Sequence, residues 1–216
     1  MIKYTCKEKE REKKKERRVH SKAVLLKQSL VNGKKIMGQY YSVVIDDVKR
    51  GERVFYPDGL KLMEHAYTNN RIAQAVTYEL RNPVCVAWVG DYANDATDNP
   101  VLLKYYETAW KYEKEDQPEG YDSFEDKKFV VNYDKKEYMD IAEYMSKCKD
   151  KKWDCTIFPV AILTSVGNGL GGGDFYPNNV STNDLIGAWA GNLLQITDEV
   201  PKGFKKISPV FRELYI

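Results

Sequence analysis

Two mostly apolar segments on either side of a polar turn, beginning near residue 40, predict a β-hairpin. Residues 40–45 are β-branched and aromatic, and residues 53–56 repeat this pattern after a turn that contains Gly51. Residues 57–59, Pro-Asp-Gly, predict a second tight turn, because proline favours its second position and glycine tolerates positive φ. Residues 60–67 fit either a third short strand or the start of a helix.

Apolar residues spaced three and four apart predict three helices. The first covers residues 72–80 and is capped by Asn69 or Asn70. The second covers residues 101–112, and the third runs from a cap at Asp134 to about residue 147.

A continuous apolar run of strand length predicts a buried central strand at residues 84–89. Residues 129–133 and 193–197 also fit strands. The longest apolar run, residues 155–166, is interrupted only by Pro159 and predicts the longest strand. A hairpin followed by helix-and-strand units is typical of an α+β fold. We therefore expect one α+β domain over residues 37–216, with a mixed or mostly antiparallel sheet and about three helices.

Charge divides the chain into a basic tail and an acidic body. Residues 1–36 carry thirteen Lys and Arg against four Glu, which leaves 21 basic and 28 acidic residues in the remainder. The tail has no apolar face, so we expect a disordered segment or a solvated helix, with weak nucleic-acid contact as one possible role. Met37 begins a plausible natural start, in which case residues 1–36 lie upstream of the true protein.

An acidic segment interleaved with aromatic residues follows the second predicted helix. One interpretation is a solvated loop, since Pro118 and Gly120 disfavour regular structure. Its functional interpretation is an anionic surface for a protein partner, in which charge speeds association and aromatic anchors supply affinity. The candidate partner-binding residues are Glu113, Glu115, Asp116, Glu119, Tyr121, Asp122, Phe124, Glu125 and Asp126.

A glycine-rich loop follows the predicted strand at residues 155–166. Five of the fourteen glycines lie within residues 167–173. Their spacing matches the letter of a dinucleotide-binding motif, but an acid and a proline follow where that motif requires a helix. A loop that shapes the backbone is favoured, and any partner contact is expected from backbone amides and aromatic residues. The candidate loop residues are Gly167, Gly169, Gly172, Asp174, Phe175 and Tyr176.

The sequence contains no recognisable catalytic signature. The four cysteines lack metal-ligand spacing, and His65 is interpreted as a structural, partly buried side chain. Asp91 begins a superficial calcium-ligand spacing that lacks the required glycine and glutamate. We therefore expect no enzyme activity, no metal and no cofactor. No apolar run is long enough to span a membrane, and we expect a cytoplasmic protein.

Four segments of the chain are distinctive in combination: residues 37–41, 59–65, 88–93 and 167–175. Together they resemble a family of small proteins from gut Firmicutes, their phages and their mobile elements, which implies a bacterial host cell. The resemblance covers residues 37–216 and includes Leu170 where family members often carry arginine. The chain is also similar to a type II anti-CRISPR group from gut metagenomes, whose members block the guide-RNA nuclease.

Three functions follow from these observations. The resemblance and the acidic body favour a non-enzymatic mobile-element protein that binds a host protein or nucleoprotein, such as a type II CRISPR nuclease, and inhibits it. The glycine loop favours a small-molecule or nucleotide-binding protein or enzyme that uses residues 167–173, with Asp174 and Asp91 as its polar groups. The third alternative is a structural or housekeeping phage protein.

Overall fold

The predicted hairpin forms one edge of a mixed sheet. Its strands, β1 (Tyr41–Asp47) and β2 (Gly51–Phe55), pair antiparallel, with Val44 opposite Val54. Gly51 has a φ of +80°, a left-handed conformation that glycine adopts without steric cost. The turn between the strands therefore closes over three residues, 48–50.

The computed structural model describes residues 39–57, 59–111, 116–149, 155–167, 175 and 184–212. Within these ranges the chain forms a single α+β domain, as its sequence predicts. The basic tail at residues 1–36 and most of the glycine-rich loop lie outside them. None of the described helices combines the length and apolar character that crossing a membrane requires.

The sheet continues from the hairpin through β3 to a far edge at β8. The strand order is β2-β1-β3-β7-β4-β5-β8, and β6 pairs with β3. Among the described strands, β3–β6 and β5–β8 pair parallel and the others antiparallel. The remaining strands are β3 (Val84–Gly90), β4 (Phe129–Asn132), β5 (Glu137–Asp140), β6 (Ser165–Val166), β7 (Leu193–Thr197) and β8 (Lys205–Ile207).

Helices cover both faces of this sheet. The three longer helices are α2 (Arg71–Glu79), α4 (Pro100–Lys111) and α5 (Ile141–Cys148). The three shorter helices are α1 (Leu62–His65), α3 (Ala93–Ala96) and α6 (Pro159–Leu163). Asn70 caps α2, since its side-chain oxygen accepts a hydrogen bond from the backbone N–H of Ile72 at 2.9 Å.

Two predicted elements are wrong. The third long helix begins at Ile141 because the preceding residues form β5, which pairs with both β4 and β8. Asp134 instead accepts a hydrogen bond from the backbone N–H of Leu193 at 2.8 Å. Residues 155–166 are not one long strand, because Pro159 begins α6 and leaves only β6 behind it. Proline suits a first helical position, where its missing N–H breaks no hydrogen bond.

The core divides between the two faces of β3. On one face Trp88 packs in a cluster that includes residues of α2, α5 and α6. On the other face Ala87 and Val89 pack with Tyr105 and Ala109 of α4. Because both faces are covered, β3 has a continuous apolar sequence instead of alternating apolar and polar residues.

Candidate functional site

The carboxyl ends of β3 and β6 lie side by side. Val89 pairs with Val166 in a parallel register, so the next residues, Gly90 and Gly167, are neighbours at the end of the sheet. In open α/β sheets, the carboxyl ends of parallel strands are where ligands bind. This end of β3 is also where β1 begins, because Tyr41 pairs with Gly90.

The side chain of Gln39 fills the space that the two glycines leave. A methyl group on Gly90 would lie 2.4 Å from Gln39 Cδ, and one on Gly167 would lie 2.7 Å from Gln39 Nε2. The Gln39 side chain is buried, and its Oε1 accepts a hydrogen bond from the Tyr41 hydroxyl at 2.9 Å. Its Nε2 has no hydrogen-bond partner among the described residues.

An aromatic pair lies on the same face of β3. Trp88 precedes Gly90 by two residues, which places the two Cα atoms about 7 Å apart with their side-chain positions on one face. His65 of α1 stacks on Trp88, with ring centroids 5.7 Å apart and an interplanar angle of 18°. Both side chains are fully buried. We call Gln39, His65, Trp88, Gly90 and Gly167 the strand-end site.

The polar atoms of this site are mainly hydrogen-bond donors. Trp88 Nε1 and both ring nitrogens of His65 have no hydrogen-bond partner in the described part of the chain. Burial lowers the pKa of His65 to about 3, so its imidazole is neutral at physiological pH. A neutral imidazole carries one N–H, and the indole and amide nitrogens carry further N–H donors. The strand-end site therefore holds several buried N–H donors that have no hydrogen-bond partner among the described residues.

Asp91, which the sequence suggested as a polar group near the glycine loop, joins β1 to β3. Its Oδ1 accepts a hydrogen bond from the backbone N–H of Tyr40 at 3.2 Å, and its own N–H donates to the Tyr40 carbonyl at 2.9 Å. These contacts fix the backbone beside the strand-end site. The described residues contain no group of three or more His, Cys, Asp or Glu side chains arranged to hold a metal ion.

The acidic segment is anchored to the domain at two points. We call its described part, residues 116–126, the acidic strap. Asp116 pairs with the edge of β2, because its N–H donates to the Val54 carbonyl and its Oδ2 accepts from the Val54 N–H, each at 3.0 Å. Phe124 is fully buried, with its ring 5.1 Å from that of Phe158. Phe124 therefore anchors the strap to the chain's own core and is not the exposed aromatic contact that its sequence suggested.

Between these anchors the strap contacts basic and polar residues on and around α2. The Tyr121 ring lies under the Arg71 guanidinium at 4.8 Å, while Asp122 lies 3.8 Å from Arg81 and 3.2 Å from Lys127. Glu125 accepts a hydrogen bond from the Thr68 hydroxyl at 3.3 Å, and Glu119 forms ion pairs with Arg50 and Arg53.

The remaining acidic candidates show no such contacts or are not described. Asp126 is exposed, whereas Glu113 and Glu115 lie outside the described residues. Binding of a host protein by this segment, and inhibition of a nuclease, stay predictions.

The two described candidates of the glycine loop, Gly167 and Phe175, lie in different surroundings. Gly167 has a φ of +88° and is part of the strand-end site. Phe175 is buried against Phe211, with ring centroids 5.4 Å apart, so it is not available as the exposed partner contact expected from its sequence. Gly169, Gly172, Asp174 and Tyr176 lie outside the described residues.

Sequence reasoning missed Gln39 and Trp88 and interpreted His65 as structural. The available signal was weak: each is a polar or aromatic residue at the border of an apolar segment, a position that usually serves packing. What assembles them is the antiparallel pairing of β1 with β3 and the parallel pairing of β3 with β6. Comparison of the chain with protein-family profiles, curated proteins and solved structures found no match.

Proposed function

We propose that the protein binds a small molecule that carries hydrogen-bond acceptors, at the strand-end site. One observation carries this proposal. Of the six buried side-chain nitrogen and oxygen atoms without a hydrogen-bond partner in the described residues, four belong to Gln39, His65 and Trp88. Gln39 lies against Gly90 at the end of β3 and against Gly167 just after β6, while Trp88 of β3 stacks on His65.

Other buried or partly buried ring donors in the described residues have hydrogen-bond partners, which sets this cluster of unpaired donors apart. Trp110 Nε1 donates to the Gly90 carbonyl at 3.1 Å, and Trp189 Nε1 donates to Glu137 Oε2 at 2.9 Å. The buried Tyr144 hydroxyl donates to the Ile157 carbonyl at 2.8 Å. A buried polar group without a partner costs about 1–3 kcal/mol, so several in one place favour a role in binding.

The chemistry of the donors selects a neutral ligand. None of the five residues of the strand-end site carries a positive charge at neutral pH, because His65 is neutral there. A phosphate group would lose its hydration without gaining a compensating charge. A carbonyl or amide oxygen, as in a nucleobase or a primary amide, accepts N–H donors without that cost. The flat, stacked rings of His65 and Trp88 also suit a planar group.

The indole N–H of Trp88 provides a direct test. Nitrogen-15 NMR spectra of the full chain would be recorded with uridine, guanosine and nicotinamide added one at a time. We expect at least one of them to shift the Trp88 indole resonance downfield, because a new acceptor deshields the N–H. The resonance is assigned with Trp88→Phe, and Trp189 serves as an internal control. An unchanged Trp88 resonance throughout, with no small molecule retained in native mass spectra, would contradict the proposal.

Gly90→Ala is expected to abolish the ligand-induced shift of Trp88. Its methyl group would lie within 2.4 Å of the Gln39 amide group and displace it from the site. The expected stability cost is about 1 kcal/mol, because the displaced atoms end a flexible side chain. Gly51→Ala is the matched control, since it strains a φ of +80° but meets no atom within 4 Å. A ligand response that survives in Gly90→Ala would place binding elsewhere.

A further inference from the structure

Two arginines beside the first edge of the sheet share one exposed carboxylate. Arg50 lies in the turn before β2, and Arg53 lies within β2. Arg50 Nη1 is 3.0 Å from Glu119 Oε2, and Arg53 Nη1 is 3.7 Å from Glu119 Oε1. Each oxygen of the carboxylate thus faces a different guanidinium group.

Buried acids hold both arginines from the opposite side. Glu79 at the end of α2 is 1% exposed and accepts from Arg50 Nη2 at 2.7 Å and from Arg53 Nη1 at 2.8 Å. Asp47 accepts from Arg50 Nε at 2.6 Å. Burial opposes ionisation of Asp47, but hydrogen bonds from the Lys49 N–H and from Arg50 outweigh it and lower its pKa. Both guanidinium groups are therefore held in place by partners other than Glu119.

We propose that Arg50 and Arg53 form a recognition site for the carboxylate of an acidic peptide, and that Glu119 occupies it as an internal ligand. Planar guanidinium groups fixed by buried partners match the geometry of a carboxylate. Glu119 is 54% exposed and lies in the acidic strap, outside any helix or strand. Its contact is of the exposed kind that contributes little to stability, so an incoming carboxylate can replace it.

The local charge favours a carboxylate over a phosphate. Arg50 and Arg53 are balanced by Asp47 and Glu79, so without Glu119 the four side chains are neutral together. One added monoanion matches the remaining N–H donors, whereas a phosphate dianion brings excess negative charge into a partly buried position. The site lies on the β2 edge and shares no residue with the strand-end site.

Glu119→Ala tests this proposal. Binding of a fluorescent hexaglutamate peptide to the full chain would be measured by anisotropy at low ionic strength. We expect the variant to bind about 5-fold more tightly than the wild type, because an internal ligand lowers apparent affinity by the fraction of time it occupies the site. Arg50→Gln in the Glu119→Ala background should remove the gain, while Arg53 still pairs with Glu79.

Asp198→Ala is the matched control for net charge. Asp198 is 74% exposed and lies 3.6 Å from Lys128, on a different part of the surface. An equal gain in Asp198→Ala, or no gain in a folded Glu119→Ala protein, would overturn the proposal. Inorganic phosphate that competes with the peptide at millimolar concentration would also overturn it, by showing a general anion site. Circular dichroism melting curves establish that each variant is folded.

Discussion

Glu79→Ala is expected to lower the free energy of unfolding by about 3–5 kcal/mol. The Glu79 carboxylate is 1% exposed and forms ion pairs with Arg50 and Arg53. Removing it leaves Arg53, whose side chain is 11% exposed, without its buried counter-charge. The energetic cost is that of a partly buried charge left with only the exposed Glu119 carboxylate as its partner, which exceeds the loss of any one hydrogen bond. Urea denaturation at neutral pH measures it.

Two further variants separate buried charge from simple loss of an ion pair. Glu119→Ala removes an exposed carboxylate from the same arginines and should cost less than about 1 kcal/mol. Glu79→Leu combined with Arg53→Met removes both charges and should recover most of the stability lost in Glu79→Ala, because apolar side chains often replace a buried ion pair without cost. A double variant as unstable as Glu79→Ala would show that packing dominates.

Local sequence signals predicted the elements whose neighbours lie close in the chain. The hairpin of β1 and β2 needs only a short turn with Gly51, and α2 begins at Arg71 after Asn70, one of the two caps that the sequence predicts. The apolar run at β3 and the strand at β7 also lie where the sequence predicts them. In each case residue spacing and local turn chemistry decide the structure.

The wrong predictions arise where distant pairing outweighs local preference. β5 takes residues that also fit a helix, because pairing with β4 and β8 provides hydrogen bonds on both of its sides. The run at residues 155–166 has strand-like composition, but Pro159 lacks the N–H that a central strand would donate and instead begins α6. Neither outcome is visible in a window of ten or fifteen residues.

In the candidate sites too, local sequence predicts some features, and contacts between distant segments decide the others. The acidic strap was recognised from its composition, but composition does not reveal that Arg50, Arg53, Arg71 and Arg81 meet it. Those contacts are set by the packing of the strap on α2 and on the edge of β2. The strand-end site depends on the register that places Gly90 beside Gly167, and these two residues are far apart in the sequence.

Acidification from about pH 7.5 to 4.5 is expected to remove about 2.5 kcal/mol of stability through His65 alone. Burial lowers the pKa of His65 to about 3 in the folded chain, whereas an unfolded histidine titrates near 6.5. Between these values the unfolded chain binds a proton that the folded chain does not. Stability therefore decreases as the pH falls through this window and is unaffected by His65 above it.

His65→Phe isolates this contribution, because the phenyl ring retains the stacking on Trp88 and cannot be protonated. Urea denaturation of both proteins at several pH values gives a difference curve. Carboxylates such as Glu52, whose pKa a hydrogen bond from Lys104 lowers against the effect of burial, titrate in both proteins and cancel. We expect the variant to gain about 1.4 kcal/mol on the wild type per pH unit below 6. Parallel curves would mean that the folded chain protonates His65 readily.

The same variant connects acid stability to ligand binding. At neutral pH, His65→Phe should be as stable as the wild type or more so, since two buried nitrogens without partners are replaced by apolar atoms. If His65 donates to the ligand, the variant should bind it more weakly and show a smaller shift of the Trp88 indole resonance. Greater stability at neutral pH together with weaker ligand binding is the combination expected of a polar group retained for function. Replacement of a purely structural histidine would change stability alone.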